Sequence, residues 1–269
     1  MKILKLALIL NTALSLSAMA ANMLPEHQQP AQALQHVQHP PRTLDQIPRH
    51  ELMCVVQENG FVSIIDLLTH QVVDNPIPVG NNPRHAVLAP NGQLYVVNMD
   101  DSTISVINTE DNTVMGQPIP VGSFAHYAVL APDNQLYVMC GDGSIFTINT
   151  EDNTVEGNPI QVGPFAHYAV LAPDNQLYVM TLNGVQIVDL STRQVGNSIA
   201  EGDSTTFAVL DPNTGYLYMM SMRRNTVLII DTATNRVVNN IWLASNPTHA
   251  LIPPLLEQRF GKTKSAAKR

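Results

Sequence analysis

The chain has 269 residues, 45% of them hydrophobic and 13% charged. That balance excludes a disordered chain and leaves either one large all-β domain or two small ones. Between Glu51 and Pro254 there are 19 acidic residues against 5 arginines, a formal charge of −14. A body of that sign repels phosphate backbones, which excludes nucleic acid as a partner.

Residues 1–20 have the layout of an export signal. Lys2 and Lys5 make a positive start, an apolar run extends from Leu6 to Leu16, and Ala18-Met19-Ala20 offers small residues to a signal peptidase. Asn11 and Thr12 interrupt the run, which is too short for a permanent span, so no membrane span is expected. The mature protein is expected to begin at Ala21 and to reside in a bacterial periplasm or outside the cell. Residues 21–50 are rich in Gln, His and Pro and lack periodicity, so they read as a linker or a draped arm.

From residue 51 to residue 254 the sequence repeats. Tyr95-Val96-Val97, Tyr137-Val138-Met139, Tyr178-Val179-Met180 and Tyr218-Met219-Met220 recur at spacings of 42, 41 and 40 residues, with Cys54-Val55-Val56 as a weaker first copy. A second β-rich run follows each motif, as in Ile104 to Asn108 and Val227 to Asp231, and then an Asn- and Asp-rich turn. The third run carries Pro76, Pro78, Pro118, Pro120 and Pro159, which cannot donate ladder hydrogen bonds, so it is expected at a sheet edge. The fourth run is of the Ala-Val-Leu-Ala-Pro kind, for example Ala86 to Pro90 and Ala128 to Pro132. Its alanines suit the crowded innermost strand.

Four short strands per repeat match one blade of a β-propeller. The expected fold is all-β: a five-bladed β-propeller of four-stranded blades. Thr248 to Pro253 would supply the inner strand that the first unit lacks, closing the ring by pairing of N- and C-terminal strands. Residues 255–269 follow as a basic tail.

The Tyr-Val-x-Asn strand at Tyr95 to Asn98, the Thr-Val-x-Ile-Ile-Asp-Thr run at Thr226 to Thr232, and Gly80-Asn81-Asn82-Pro83 resemble the YVTN family of β-propeller repeat proteins. The resemblance covers about 200 residues and implies an extracytoplasmic repeat scaffold with no particular activity. The chain departs from that pattern in having few repeats. It also replaces the Gly-x-x-Pro element by Gly122-Ser123-Phe124-Ala125-His126-Tyr127 and Gly163-Pro164-Phe165-Ala166-His167-Tyr168.

Cys54 and Cys140 fall in the first and third units, too far apart for a disulfide, and are expected as buried free thiols. No nucleophile turn, zinc-protease motif, Cys-x-x-Cys or phosphate-binding glycine loop occurs, and no catalytic residue is assigned. Residues 122–139 match residues 163–180 at every position but Ser123 versus Pro164. Such near-identity offers no pair of contrasting environments for an acid and a base.

The candidate binding residues lie where the inner strands begin. They are Arg84, His85, His126, Tyr127, His167, Tyr168, Phe207 and His249, placed by pseudo-symmetry around one mouth of the central channel. They could hold a sugar or a peptide side chain. The alternatives are that His126 and His167 only hydrogen-bond neighbouring blades, or that imidazoles converging on the axis bind a transition metal. Met139, Met180 and Met220 occupy one repeat-equivalent position and read as core filling, so no metal site is assigned. The functional expectation is an exported, monomeric, non-enzymatic binding protein without a cofactor, its partner a protein or glycan. Two alternatives stand beside it: a propeller lyase, lactonase or hydrolase using the channel-mouth histidines, and a secreted factor acting on a host cell.

Overall fold

The computed structural model describes residues 40–43, 46–48, 51–199 and 205–252. The signal segment, most of the arm and the basic tail lie outside these residues. Two compact units are formed, one comprising Met1–Val55 and Val62–Pro76, the other Val56–Phe61 and Ile77–Arg269. Among the described residues no helix is long and apolar enough to cross a membrane.

The strands gather into five antiparallel sheets. The first is β1 (Leu52–Gln57), β2 (Phe61–Asp66) and β3 (Gln71–Pro78). The second is β4 (Pro83–Leu88), β5 (Gln93–Asn98), β6 (Thr103–Asn108) and β7 (Thr113–Pro120). The third holds β8 (Ala125–Leu130), β9 (Gln135–Cys140), β10 (Ser144–Asn149), β11 (Thr154–Val155) and β12 (Ile160–Gln161). The fourth is β13 (Tyr168–Leu171), β14 (Gln176–Thr181), β15 (Gly184–Asp189) and β16 (Gln194–Val195). The fifth is β17 (Thr205–Asp211), β18 (Tyr216–Ser221), β19 (Thr226–Asp231) and β20 (Arg236–Trp242).

The expected five blades of four strands with a closed ring are not what forms. The first sheet has three strands and the third has five. Residues 248–252 adopt no strand, and no pairing of a C-terminal segment with β1 occurs among the described residues. Pro247, Pro253 and Pro254 bracket that segment and bring no N–H to a ladder. In the third sheet the outer strand breaks into β11 and β12 around Gly157, which has φ 63°, and Pro159.

Within the second unit each central strand is buried on both faces, which explains its unbroken apolar run. In β9, Leu136, Val138 and Cys140 face a core shared with Tyr95, Val97, Ile104 and Val106 of the second sheet. The alternate residues Tyr137 and Met139 face Leu177 and Val179 of β14. Tyr178 and Met180 in turn pack with Met219, Leu228 and Ile230 of the fifth sheet. Of the methionines read as core filling, Met139 and Met180 sit in the cores between successive sheets, and Met220 is buried in the fifth sheet.

The inner strands β4, β8, β13 and β17 stand at one end of their sheets and neighbour one another in sequence. Ala86, Ala128, Ala169 and Ala208 are buried there, where a larger side chain would push neighbouring strands apart. The proline-bearing runs stand at the opposite, outer end, as their missing donors require. Hairpins after the inner strands turn at Gly92, Asn134, Asn175 and Gly215, all with positive φ.

Tyrosines fasten one sheet to the next. The Tyr95 hydroxyl donates to Asn153 Oδ1 at 2.6 Å and lies 3.2 Å from the Thr150 carbonyl, both in the β10–β11 turn of the third sheet. Tyr178 makes the same reach to Asn235 and Thr232 of the fifth. Asn153 and Asn235 hold left-handed φ values of 63° and 55°, which asparagine tolerates better than most residues.

In the first unit the end of the arm is tied down. Arg42 forks onto the buried Asp66 at 2.6 and 2.9 Å and reaches Glu51 at 2.8 Å. This guanidinium holds the Asp66 carboxyl well below the usual carboxylate range. Cys54 and Cys140 are both free; Cys140 is fully buried and Cys54 partly so. Burial pushes the Cys140 thiol up to about 12.

Candidate functional site

Alternation along a strand would send neighbouring residues such as His126 and Tyr127 to opposite faces. A bulge alters this at the start of the inner strands. Pro83 pairs with Asn98 but His85 with Val97, leaving Arg84 as the extra residue. His126 is the extra residue between Ala125 and Tyr127 in β8, and β17 has the same irregularity between Thr205 and Phe207. Bulges re-aim side chains in this way at sheet ends and binding sites.

Beyond the bulge the aromatic residues form an unbroken row. His85 meets Tyr127 with ring centroids 4.0 Å apart, and Tyr127 meets Tyr168 at 4.6 Å. Tyr168 meets Phe207 at 5.2 Å, and Phe207 meets His249 at 5.1 Å. All four contacts are tilted by 36–46°, between the offset-stacked and edge-to-face arrangements that ring quadrupoles favour. The first four rings are half-buried and His249 is exposed. His249 thus joins the row although its segment forms no strand.

Polar atoms of the row are largely engaged with the next inner strand. The Ala128 N–H donates to His85 Nδ1 at 3.4 Å, and the Tyr168 hydroxyl donates to the Ala208 carbonyl at 3.4 Å. Burial lowers the His85 pKa to about 4, so the ring is neutral at neutral pH, as an acceptor nitrogen requires. Burial likewise raises the Tyr127 and Tyr168 pKa values, and both phenols stay protonated.

Arg84, His126 and His167 precede the row in sequence, the first two as bulge residues and His167 just before β13, whose register is unbroken. His167 is locked between sheets, with Nδ1 3.0 Å from the Phe165 carbonyl and Nε2 3.0 Å from the Thr205 carbonyl. His126 has its pKa lowered, first by burial and then by His167 and Arg84. Arg84 is exposed and reaches Glu58 at 3.4 Å. The structure therefore brings the eight sequence-nominated residues to one end of the inner strands. It assigns His167 the inter-sheet contact that was the first alternative reading.

Two residues at this end were not nominated from the sequence. Phe124 and Phe165 are 59% and 53% exposed, and they hold φ values of 55° and 57°. A bulky residue in the left-handed region costs about 1–2 kcal/mol, and an exposed ring recovers little of that through burial. Gly141 makes room for the first of them, since a Cβ there would stand 2.9 Å from the Phe124 Cβ and 3.4 Å from His126 Nε2. The Gly141 N–H donates to the Phe124 carbonyl at 2.9 Å, and the Phe165 N–H donates to the Gly141 carbonyl at 3.0 Å. Both phenylalanine loops are thereby tied to one residue. The signal was present in the repeat: Asn82 occupies the equivalent position with φ 50°, so phenylalanine stands where the turn favours asparagine.

Among the described residues no group of three or more His, Cys, Asp or Glu side chains is arranged to hold a metal ion. Acidic residues of the outer turns serve the turns themselves. Asp111 and Asp152 accept hydrogen bonds from the backbone and hydroxyl of Thr113 and Thr154.

No protein-family model matches the chain, and no curated protein matches it. Solved structures do. The chain is similar to hydrazine synthase of Kuenenia stuttgartiensis, with a TM-score of 0.61 and 20% identity over 71% of this chain and 63% of that one. It is also similar to the dihydro-heme d1 dehydrogenase NirN in complex with DHE, with a TM-score of 0.62 and 17% identity over 76% of this chain and 48% of that one. The chain thus spans less than two thirds of either neighbour. At such identities the likeness concerns the fold alone, and together with the repeated sheets it supports a β-propeller-like architecture.

Proposed function

We propose that this chain is an exported, non-enzymatic β-propeller repeat protein of the YVTN kind, and that it binds a protein or glycan at the bulged ends of its inner strands. The observation that carries this reading is the pair of exposed, left-handed phenylalanines, Phe124 and Phe165, on the loops that lead into the aromatic row. Exposed rings in a strained backbone are a cost to folding without a return in burial, and such cost concentrates where a ligand is held. Aromatic faces suit the C–H face of a sugar ring or an apolar side chain, and Arg84 and His126 add polar contacts. The rigid sheets beneath position these loops.

The two named structural neighbours are enzymes by their titles, and an enzyme reading would use His126 or His167 as a general base. The His167 geometry disfavours it, because a base needs a nitrogen open to substrate and both of its nitrogens face backbone carbonyls. Export is supported by the layout of residues 1–20.

The test applies the mature protein to a glycan microarray and to an array of extracellular and periplasmic proteins. Saturable binding to a defined glycan or protein is expected, with a loss of at least about tenfold, or 1.4 kcal/mol, in Phe124→Ala/Phe165→Ala. Binding that is unaffected by this double substitution would remove the inner-strand end as the site.

A further inference from the structure

The outer strands of the second unit are blunted against pairing in every sheet but the last. Pro118 and Pro120 interrupt β7, the third sheet's outer strand is split around Gly157 and Pro159, and β16 is two residues long. Each device removes donors or length from an open edge. By contrast β20, Arg-Val-Val-Asn-Asn-Ile-Trp, runs for seven residues without a proline. Val238, Ile241 and Trp242 are exposed along it, and Trp242 is 73% exposed, the one tryptophan of the chain.

Alternate backbone groups of β20 face away from β19. The Leu243 N–H turns in to the Asn225 carbonyl at 2.7 Å, whereas the Asn240 N–H bonds to the neighbouring Asn239 Oδ1 at 2.8 Å. Antiparallel alternation therefore places the N–H and C=O of Asn240 and Trp242 on the side of β20 that no strand among the described residues pairs. The Asn239 side chain covers one of these donors and can swing away.

Charge selects the occupant. Between Tyr216 and Trp242 the chain carries Arg223, Arg224 and Arg236 against Asp231 alone, within a body whose formal charge is −14. Arg236 begins β20, and Arg223 and Arg224 lie in the β18–β19 turn beside its far end, where Thr226 pairs with Trp242. Arg236 faces Asp231 across the ladder, so the excess positive charge lies at the Trp242 end of the edge. We infer that β20 accepts an extended acidic peptide segment of a partner protein as an added antiparallel strand, anchored on Trp242. Main-chain hydrogen bonds would supply affinity, and the arginines would select Glu- and Asp-bearing strands. This edge is independent of the inner-strand site.

The experiment uses the mature protein and a fluorescein-labelled heptapeptide, Glu-Val-Thr-Val-Glu-Val-Glu, with its lysine-for-glutamate counterpart as control. Because Trp242 is the sole tryptophan, intrinsic fluorescence reports this edge directly. Expected is saturable binding of the acidic peptide with a blue shift of tryptophan emission. The lysine peptide should bind at least about tenfold more weakly, and the affinity should fall by about tenfold in Asn240→Pro, which removes one outward donor. Should that variant melt early, Arg223→Glu/Arg236→Glu gives a second reading, with the acidic peptide lost and the melting temperature kept. Equal binding of both peptides, binding without an emission change, or affinity unaltered by the charge variant would overturn the inference. So would sedimentation equilibrium showing a peptide-free dimer with Trp242 buried, which would make a second copy of this chain the occupant.

Discussion

Inner strands β4, β8, β13 and β17 and outer strands β7, β11, β12, β16 and β20 come from the same repeats, yet they tolerate opposite degrees of irregularity. The inner strands keep their alanines and, in most repeats, the same bulge. They also place one aromatic ring per repeat in register. The outer strands vary from two residues to eight, and one is split. An inner strand touches its equivalents, so a change in one displaces two neighbours. An outer strand has one ladder partner and solvent on its far side. Sequence freedom therefore accumulates outside, while specific geometry is held inside.

The largest expected effect lies in the cores between sheets. Leu177→Ala empties a fully buried position packed between the third and fourth sheets and should cost about 2–5 kcal/mol in urea unfolding. Val195→Ala in the outer β16 should stay within about 0.5 kcal/mol. Comparable losses at the two positions would break the contrast.

A pH effect of nearly that size is expected at the inner row. His85 binds its proton at about 4 in the folded chain against 6.5 in the unfolded one. Its contribution is fully present above 6.5 and is lost as the pH falls from 6.5 towards 4, by on the order of 3 kcal/mol at most. Urea midpoints at pH 7 and 4.5 should therefore diverge in the native chain and lie closer together in His85→Phe. An unchanged divergence in the variant would mean that His85 is not the group responsible.

Smaller still is the expected effect of Tyr178→Phe, which removes the hydroxyl reaching Asn235 and Thr232. The loss should be about 1 kcal/mol, with the unfolding slope unchanged. A neutral result would show that the sheets are held by apolar packing alone.

Much of this organisation was legible from the chain. The Tyr-Val-Val motif at Tyr95 falls in β5 and its equivalents in β9, β14 and β18, and the proline-bearing runs stand at sheet edges as their missing donors demand. Closure was not legible, because the Ala-Leu-Ile run at Ala250 carries the apolar signature of an inner strand and yet residues 248–252 adopt none. The bulges leave no compositional trace, since Arg84 and His126 share no residue type. The tyrosine-to-asparagine contacts join positions 58 residues apart, Tyr95 to Asn153, and appear only once the sheets are stacked. Phe124 and Phe165 stand out in the sequence as departures from Gly-x-x-Pro, but their left-handed backbone follows only from alignment with Asn82.

The most direct test of the inner-strand site replaces both strained phenylalanines by glycine and reads stability and binding in the same samples. Glycine accepts φ values of 55° and 57° without strain. The account expects Phe124→Gly/Phe165→Gly to keep or raise the melting temperature while ligand binding falls by at least about tenfold. A lowered melting temperature with binding intact would contradict it, and would make the two rings structural supports of the loops.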